Sequence, residues 1–286
     1  MKNQILILSV FFIGCGQTLT KSTTSTKQES TTPSFASAKK ILDKIYNDRR
    51  QTFYCNCSYS EDDQVNHQSC GYVPRTPGAR ADRIEWEHVV PAATFGGHLE
   101  TWVSGDPGCV TSSGNVYKGR RCAAKVSEEF QRMESDLYNL VPAVGEVNGR
   151  RSNYPMAEIP GEERLFGACD IEIANQQVEP RPEIRGNIAR IYFYMDHQYP
   201  GNGIVSEEER KMFTLWDSHD PADVAECTLA RQIEPLQGNT NPIVEAACTA
   251  LKLRCTDGTT SNCRCNQYSY AGCCLNHDVA GCSGEK

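Results

Sequence analysis

The sequence predicts a mixed domain of helices and short strands, stapled by disulfides and carried out of the cytosol. Three observations support this. Apolar residues recur at helical spacing in several segments between Ala38 and Leu251. Strand-like stretches fall at Phe53–Tyr59 and again where the chain runs into Glu87-His88. Fifteen cysteines occur in 286 residues, a density typical of an oxidising compartment. Cys55 and Cys57 form a CxC and Cys273 and Cys274 are adjacent, so no zinc-spaced CxxC pairs compete with the disulfide reading. At 39% hydrophobic and 23% charged the composition is that of an ordinary soluble chain. The net charge of -7 gives no overall attraction to polyanions, so a nucleic-acid site has to be a local basic patch.

The N-terminus reads as an export signal. A basic Met1-Lys2 precedes the apolar run Ile5–Ile13, which is too short to span a membrane. Phe12-Ile13-Gly14-Cys15-Gly16 is similar to a bacterial lipobox with Cys15 as the lipidated residue. Setting Cys15 aside leaves an even number of cysteines for pairing. The alternative is an ordinary secretory signal cleaved nearby. Residues 16–37, rich in Ser, Thr and Lys, read as a flexible tether.

Ala38, Ile41, Leu42 and Ile45 predict a helix over about Ser37–Gln51. Alternation predicts a strand at Phe53–Tyr59, and Asn66–Pro77 reads as a loop pinned at Cys70. Gly96–Gly119 reads as a long loop. Ser127-Glu128-Glu129, a capping residue followed by acidic first-turn residues, predicts a helix over Ser127–Tyr138. Pro142 and Gly149 bracket a short helix, Ala143–Asn148, that would face Asn148 toward the Glu-His strand. Pro182–Tyr199 is a strong helix with Ile184, Ile188, Ile191, Tyr192 and Met195 on one stripe. Ser206–Ser218, Pro221–Gln232 and Asn241–Leu251 complete the set, with Cys227 and Cys248 placed to staple the last two. A domain over 38–250 is then followed by a tail, 251–286. The tail holds Cys255, Cys263, Cys265, Cys273, Cys274 and Cys282 with too little apolar material for a core, so it reads as a small disulfide module.

The chemistry centres on Ile84-Glu85-Trp86-Glu87-His88-Val89-Val90-Pro91. A carboxylate suits a hard divalent cation, and a neutral imidazole suits proton abstraction. As an isolated pair, Glu87 and His88 would be a surface carboxylate and a satisfied histidine at a strand end. Asn148 adds a neutral oxygen ligand, and Arg120 a fork that can clamp a phosphate. Lys118, Arg121, Arg150 and Arg151 supply the candidate basic patch for nucleic acid. Glu134 and Asp136 are either helix-surface charges or supporting partners. His67, His98, His197, His219 and His277 show no paired spacing and receive no role.

Several motifs extend this reading. They are Cys70-Gly71-Tyr72, Arg83–Ala92, Gly119-Arg120, Met133–Leu137, Asn139–Gly149, Arg185–Met195 and Gln237–Pro242. In their order they closely resemble the bacterial endonuclease I family over about Ala38–Cys248. The resemblance implies an α+β domain with a ββα-metal (His-Me finger) site. It also implies hydrolysis of phosphodiester bonds in double- and single-stranded DNA and in RNA, without sequence preference, leaving 5′-phosphates. It places His88 at the general-base position, Arg120 at the phosphate-stabilising position, and Glu87 and Asn148 at the ligands of one Mg2+ (or Mn2+ or Ca2+). Asn139 falls at a supporting amide. Cys55, Cys57, Cys70, Cys109, Cys122, Cys169, Cys227 and Cys248 match the family's bridge-forming cysteines, with connectivity open. A monomeric protein in the periplasm, on the outer membrane through Cys15, or outside the cell is implied. The chain departs from the family in carrying Arg150-Arg151 where Asp-Arg is usual, in a longer 96–119 loop, and in its two terminal additions. Two rival readings remain: a nuclease-like domain that binds polyanions without cutting, and a surface adhesin working through the tail.

Overall fold

Short-range sequence signals set most of the helices, and long-range pairing sets the strands between them. The computed structural model describes residues 34–161 and 163–256, the last five as backbone only. The signal run, the lipobox with Cys15 and most of the tether lie outside the described residues, as do the Cys255 side chain, Cys263, Cys265, Cys273, Cys274 and Cys282.

The elements in chain order are α1 (Phe35–Ile45), β1 (Ile84–His88), α2 (Ala92–Gly96), α3 (Glu100–Val103), α4 (Arg120–Val126), α5 (Glu128–Glu134), β2 (Leu140–Val144), α6 (Gly145–Arg151), β3 (Ile171–Ala174), β4 (Gln177–Pro180), α7 (Arg185–Gln198), α8 (Glu207–His219), α9 (Val224–Gln237) and α10 (Pro242–Thr256). β1 and β2 pair antiparallel, with Glu87 opposite Val141 and His88 opposite Leu140. Helix α6 follows β2 without a gap and packs on both strands. β3 and β4 form a separate hairpin. Its turn residues Asn175 and Gln176 take φ of 50° and 61°, the left-handed geometry that a tight hairpin requires.

The largest helix contact is between α7 and α8. The predicted stripe of α7 is buried as drawn, at Ile188, Ile191, Tyr192 and Met195. Arg190 is buried among them and neutralised on two sides. Its guanidinium meets both oxygens of Glu226 at 2.8 and 2.6 Å and Asp217 at 2.6 Å, so one buried cation ties α7 to α8 and α9. Such a network holds only if every partner stays in place.

Several sequence-based expectations need correction. The tether ends before residue 37: Ser34 caps α1 in a capping box with Ser37, and the helix begins at Phe35. It then tightens into a 3-10 turn at Tyr46–Asp48 instead of running to Gln51. Phe53–Tyr59 forms a turn and not a strand. Asn56 sits at φ 55° and its amide bonds the Thr52 carbonyl at 2.8 Å. The alternation there reflects buried disulfide cysteines, which mimic a strand pattern. Short helices α2 and α3 occupy the start of the expected 96–119 loop region. Ala143 and Val144, read as the start of a helix, belong to the strand Leu140–Val144 that pairs with β1, and the helix runs from Gly145 to Arg151. Pro142 has no N–H for the ladder, and its carbonyl accepts instead from Phe53 N at 2.7 Å. The domain boundary at 250 falls inside α10.

Four bridges join the eight family-matched cysteines: Cys55–Cys169, Cys57–Cys70, Cys109–Cys122 and Cys227–Cys248. The last staples α9 to α10, as expected. Cys55–Cys169 spans 114 residues and Cys57–Cys70 only 13. Because a bridge restricts the unfolded chain more when its loop is longer, removing the first should cost about 5 kcal/mol and removing the second about 3 kcal/mol. Guanidinium unfolding of the paired Cys→Ala variants measures both, and the reverse order would contradict this ranking.

Candidate active site

The strand end carries Glu87 and His88 into the interior, where each is only 5% exposed. The imidazole is fixed by one bond: Nε2 stands 2.8 Å from the backbone carbonyl of Glu134. A carbonyl can only accept, so Nε2 carries the hydrogen, and in the neutral ring Nδ1 is left with a free lone pair. The ring is held between Phe35 and Phe95, at centroid distances of 4.9 and 5.9 Å. Burial, reinforced by the positive field of Arg120, pushes the His88 pKa down to about 3, against the opposing Glu134 bond. His88 is therefore a neutral base throughout the physiological range.

Glu134 does a second job through its side chain. Its Oε1 accepts from Arg120 Nε at 2.8 Å and lies 2.8 Å from Nη2. Nη1 of Arg120 makes no hydrogen bond among the described residues. The guanidinium also lies 5.8 Å from the Phe35 ring centre. Arg120 sits at the first position of α4, two residues before the Cys109–Cys122 bridge, which anchors that turn.

Glu87 lies beside the fully buried Arg151, whose Nη1 is 3.2 Å from Oε1. That nitrogen is aimed at the His88 carbonyl at 3.1 Å and toward Ser152 O, while Nη2 donates to Val89 O. Oε1 is thus buried with no hydrogen bond. Burial pushes the Glu87 pKa up to about 7, although Arg151 and Arg120 pull it down. Asn148, on α6, donates its amide nitrogen to Glu85 Oε2 at 3.0 Å. Among the described residues its amide oxygen accepts no hydrogen bond. Glu85 and Glu87 share one face of β1, since they are two apart in a strand. Glu85 is itself gripped by Arg80, at 2.9 and 2.7 Å. The Arg80 guanidinium fills the space beside Gly149, where an added Cβ would fall 2.7 Å from its Cζ. A side chain at 149 would displace that guanidinium from its place beside Glu85.

An orphaned carboxylate oxygen and an unused amide oxygen make a hard, oxygen-only donor pair. That set fits a divalent cation that keeps most of its shell for water and phosphate. Among the described residues no group of three His, Cys, Asp or Glu side chains could hold a metal ion, so a cation here would depend on the amide as well as the carboxylate.

The other predicted residues divide. Asn139 is wholly buried and clamps Val90, accepting from its N–H at 2.7 Å and donating to its carbonyl at 3.0 Å. Asp136 is buried, accepting from Tyr138 N, Tyr194 and Tyr199 hydroxyls and Gln237 Nε2, so it anchors the segment before β2 to α7 and α9. Arg151, expected in the basic patch, is instead 1% exposed and consumed by backbone carbonyls and Glu87, so no phosphate reaches it. Lys118 and Arg121 are exposed beside Arg120, with Arg121 stacked 4.4 Å over Tyr117. Arg150 is partly exposed and bonds Glu146 and Thr76. Sequence reasoning missed Phe35, Glu85 and Arg80. The i, i+2 spacing of Glu85 and Glu87 was a usable signal for the second; nothing local marked Phe35.

Replacing Asn139 with Ala leaves both polar groups of Val90 buried and unpaired. A loss of about 2–4 kcal/mol in urea unfolding is expected, and a loss under about 0.5 kcal/mol would show that the clamp is dispensable.

The chain is similar to several known proteins. The Endonuclease I family profile matches residues 15–248. The chain is 41% identical over 249 residues to the "Periplasmic deoxyribonuclease" of Aeromonas hydrophila, covering 85% of this chain and 97% of that protein. It is 42% identical over 220 residues to an "Extracellular deoxyribonuclease" of the same organism, covering 75% and 90%. To the "Endonuclease-1" of Buchnera aphidicola subsp. Acyrthosiphon pisum it is 39% identical over 226 residues, covering 77% and 84%. With its matched motifs folded around one buried histidine, the chain belongs to the endonuclease I family.

Proposed function

We propose that this protein is an exported, divalent-metal-dependent endonuclease that hydrolyses phosphodiester bonds in DNA and RNA, with His88 as general base and 5′-phosphate products. The observation that carries this reading is the Nε2–H bond from His88 to Glu134, which leaves Nδ1 as the ring's proton acceptor. The names of the relatives support DNA as substrate and the periplasm or exterior as location. Cys15 is the proposed lipid attachment point. The residues address a phosphate and a cation and read no base, which supports action on single and double strands alike.

In this reading Nδ1 of His88 withdraws a proton from a water, whose oxygen attacks phosphorus as the bond to the 3′-oxygen breaks. The departing 3′-oxygen takes a proton from solvent water and His88 returns its own to solvent, so the products are a 3′-hydroxyl and a 5′-phosphate. Arg120, oriented by Glu134, presents Nη1 to a non-bridging oxygen. Glu87 and Asn148 would hold a divalent cation, Mg2+ in the first instance, which supplies positive charge beside the phosphoryl group and leaving oxygen. Glu85 and Arg80 keep the Asn148 amide turned so that its oxygen is the free end. The buried ring, sealed by Phe35 and Phe95, keeps bulk water off the base.

Plasmid and RNA digestion on oxidised, signal-free protein tests this. Loss of a general base costs about 10²–10⁴-fold, so His88→Ala should cut that much more slowly than wild type, and chelation should abolish cutting. A His88→Ala enzyme that cuts at the wild-type rate would overturn the assignment.

The pH profile follows from Glu87. Its carboxyl is protonated below about 7 without metal, and a ligand must be deprotonated to bind. At limiting Mg2+, activity should therefore fall as pH drops through about 7, and excess Mg2+ should move that midpoint downward. A midpoint indifferent to Mg2+ would remove Glu87 as the titrating ligand.

A further inference from the structure

Beyond the site around His88, a groove of about 460 Å³ runs beside the C-terminal half of α6, lined by Arg75, Gly149, Arg150, Tyr154, Asn175 and Gln176 among others. Buried Glu146 builds it. Its carboxylate accepts from the Tyr72 hydroxyl at 2.6 Å, the backbone amides of Arg75 and Thr76 at 3.1 and 2.9 Å, and Arg150 Nε at 3.2 Å. These bonds fasten the 72–76 loop to α6 and bring Arg75 and Arg150 to one groove. Arg150 Nη2 donates to Thr76 Oγ1 at 3.1 Å, and its Nη1 has no hydrogen bond among the described residues. The Arg75 guanidinium has none there either. The rigid β3–β4 turn at Asn175 and Gln176 supplies another part of the lining.

Two guanidinia facing an open groove call for an anion between them. The position indicates which anion. Gly149 lines the groove and follows Asn148 in the chain, so the groove and the candidate cation ligand belong to the same short helix. A duplex strand carries a phosphate about every 3.4 Å along its axis. A strand whose scissile phosphate meets Arg120 and Asn148, and which runs on along α6, would present its next phosphates to this groove.

We infer that the groove is a second phosphate subsite, in which Arg75 and Arg150 hold the backbone of the substrate strand one or two nucleotides from the bond being cut. This rests on the nuclease reading above and extends it to a local patch that offsets the chain's net negative charge. The contact is to phosphate alone, so it adds affinity without sequence preference.

The test is the salt dependence of kcat/KM on a short fluorescent duplex in saturating Mg2+, from about 50 to about 200 mM salt. Wild type, Arg75→Ala, Arg75→Lys, Arg150→Ala and the double Ala variant are compared, with circular dichroism to verify folding. Each single Ala variant should lose roughly five- to tenfold at about 150 mM salt and flatten the log–log salt slope by about one, and the double variant by about two. Arg75→Lys keeps the charge and should keep most of the slope. Arg150→Ala also removes a bond to Glu146. If it fails to fold, Arg75→Glu carries the test alone, because the Arg75 guanidinium has no internal partner and its reversal should cut deeper than Ala. A double variant (or Arg75→Glu) with the wild-type slope overturns the subsite while leaving the nuclease reading intact. A wild type that never cleaves overturns both.

Discussion

The structure depends on Glu134, whose two ends orient the His88 imidazole and the Arg120 guanidinium. It is the last residue of α5, where a helix leaves its carbonyls without intrahelical partners. His88 Nε2 takes up that orphan carbonyl, which fixes the tautomer of the base. The carboxylate of the same residue turns to Arg120 and holds the guanidinium next to the imidazole. A carbonyl at a helix C-terminus favours a charged imidazole. Burial and the Arg120 field outweigh it, and the ring stays neutral.

The remaining polar groups keep that arrangement from relaxing. Arg151 lies beneath β1 and bonds the His88 and Val89 carbonyls. Asn139 satisfies both backbone groups of Val90. The strand end is thus pinned on both sides of the histidine, where an ordinary edge would fray. The same packing leaves Glu87 Oε1 without a donor. Arg151 lies 3.2 Å away and offsets its charge in part, but a buried carboxylate oxygen without a hydrogen bond is costly, and protonation near neutral pH or a cation would relieve it. The coupling between proton and metal in this account comes from that single unsatisfied oxygen.

Much of this was legible in the chain. Contiguous motifs gave the Glu87-His88 pair, Arg120 and Asn148, and helical periodicity gave α7 and α8 almost to the residue. The misreadings share one cause: local pattern competing with distant partners. Phe53–Tyr59 alternates because its cysteines and tyrosines are buried by bridges to Cys70 and Cys169. Leu140–Val144 contains a proline and is a strand only because β1 lies beside it. Arg151 looked like one of a basic pair, yet the turn of α6 sends neighbouring side chains in different directions, one to a groove and one into the core. Phe35 sits in a polar-looking segment, and only the tertiary fold shows that it covers the His88 ring.

The central claim is a proton position, and nitrogen NMR of the His88 ring measures it directly. In oxidised, metal-free protein the account predicts a neutral ring with hydrogen on Nε2 and none on Nδ1, unchanged from pH 5 to pH 8 because its pKa lies near 3. A hydrogen on Nδ1, or a ring that titrates near the ordinary histidine value of about 6.5, would contradict it.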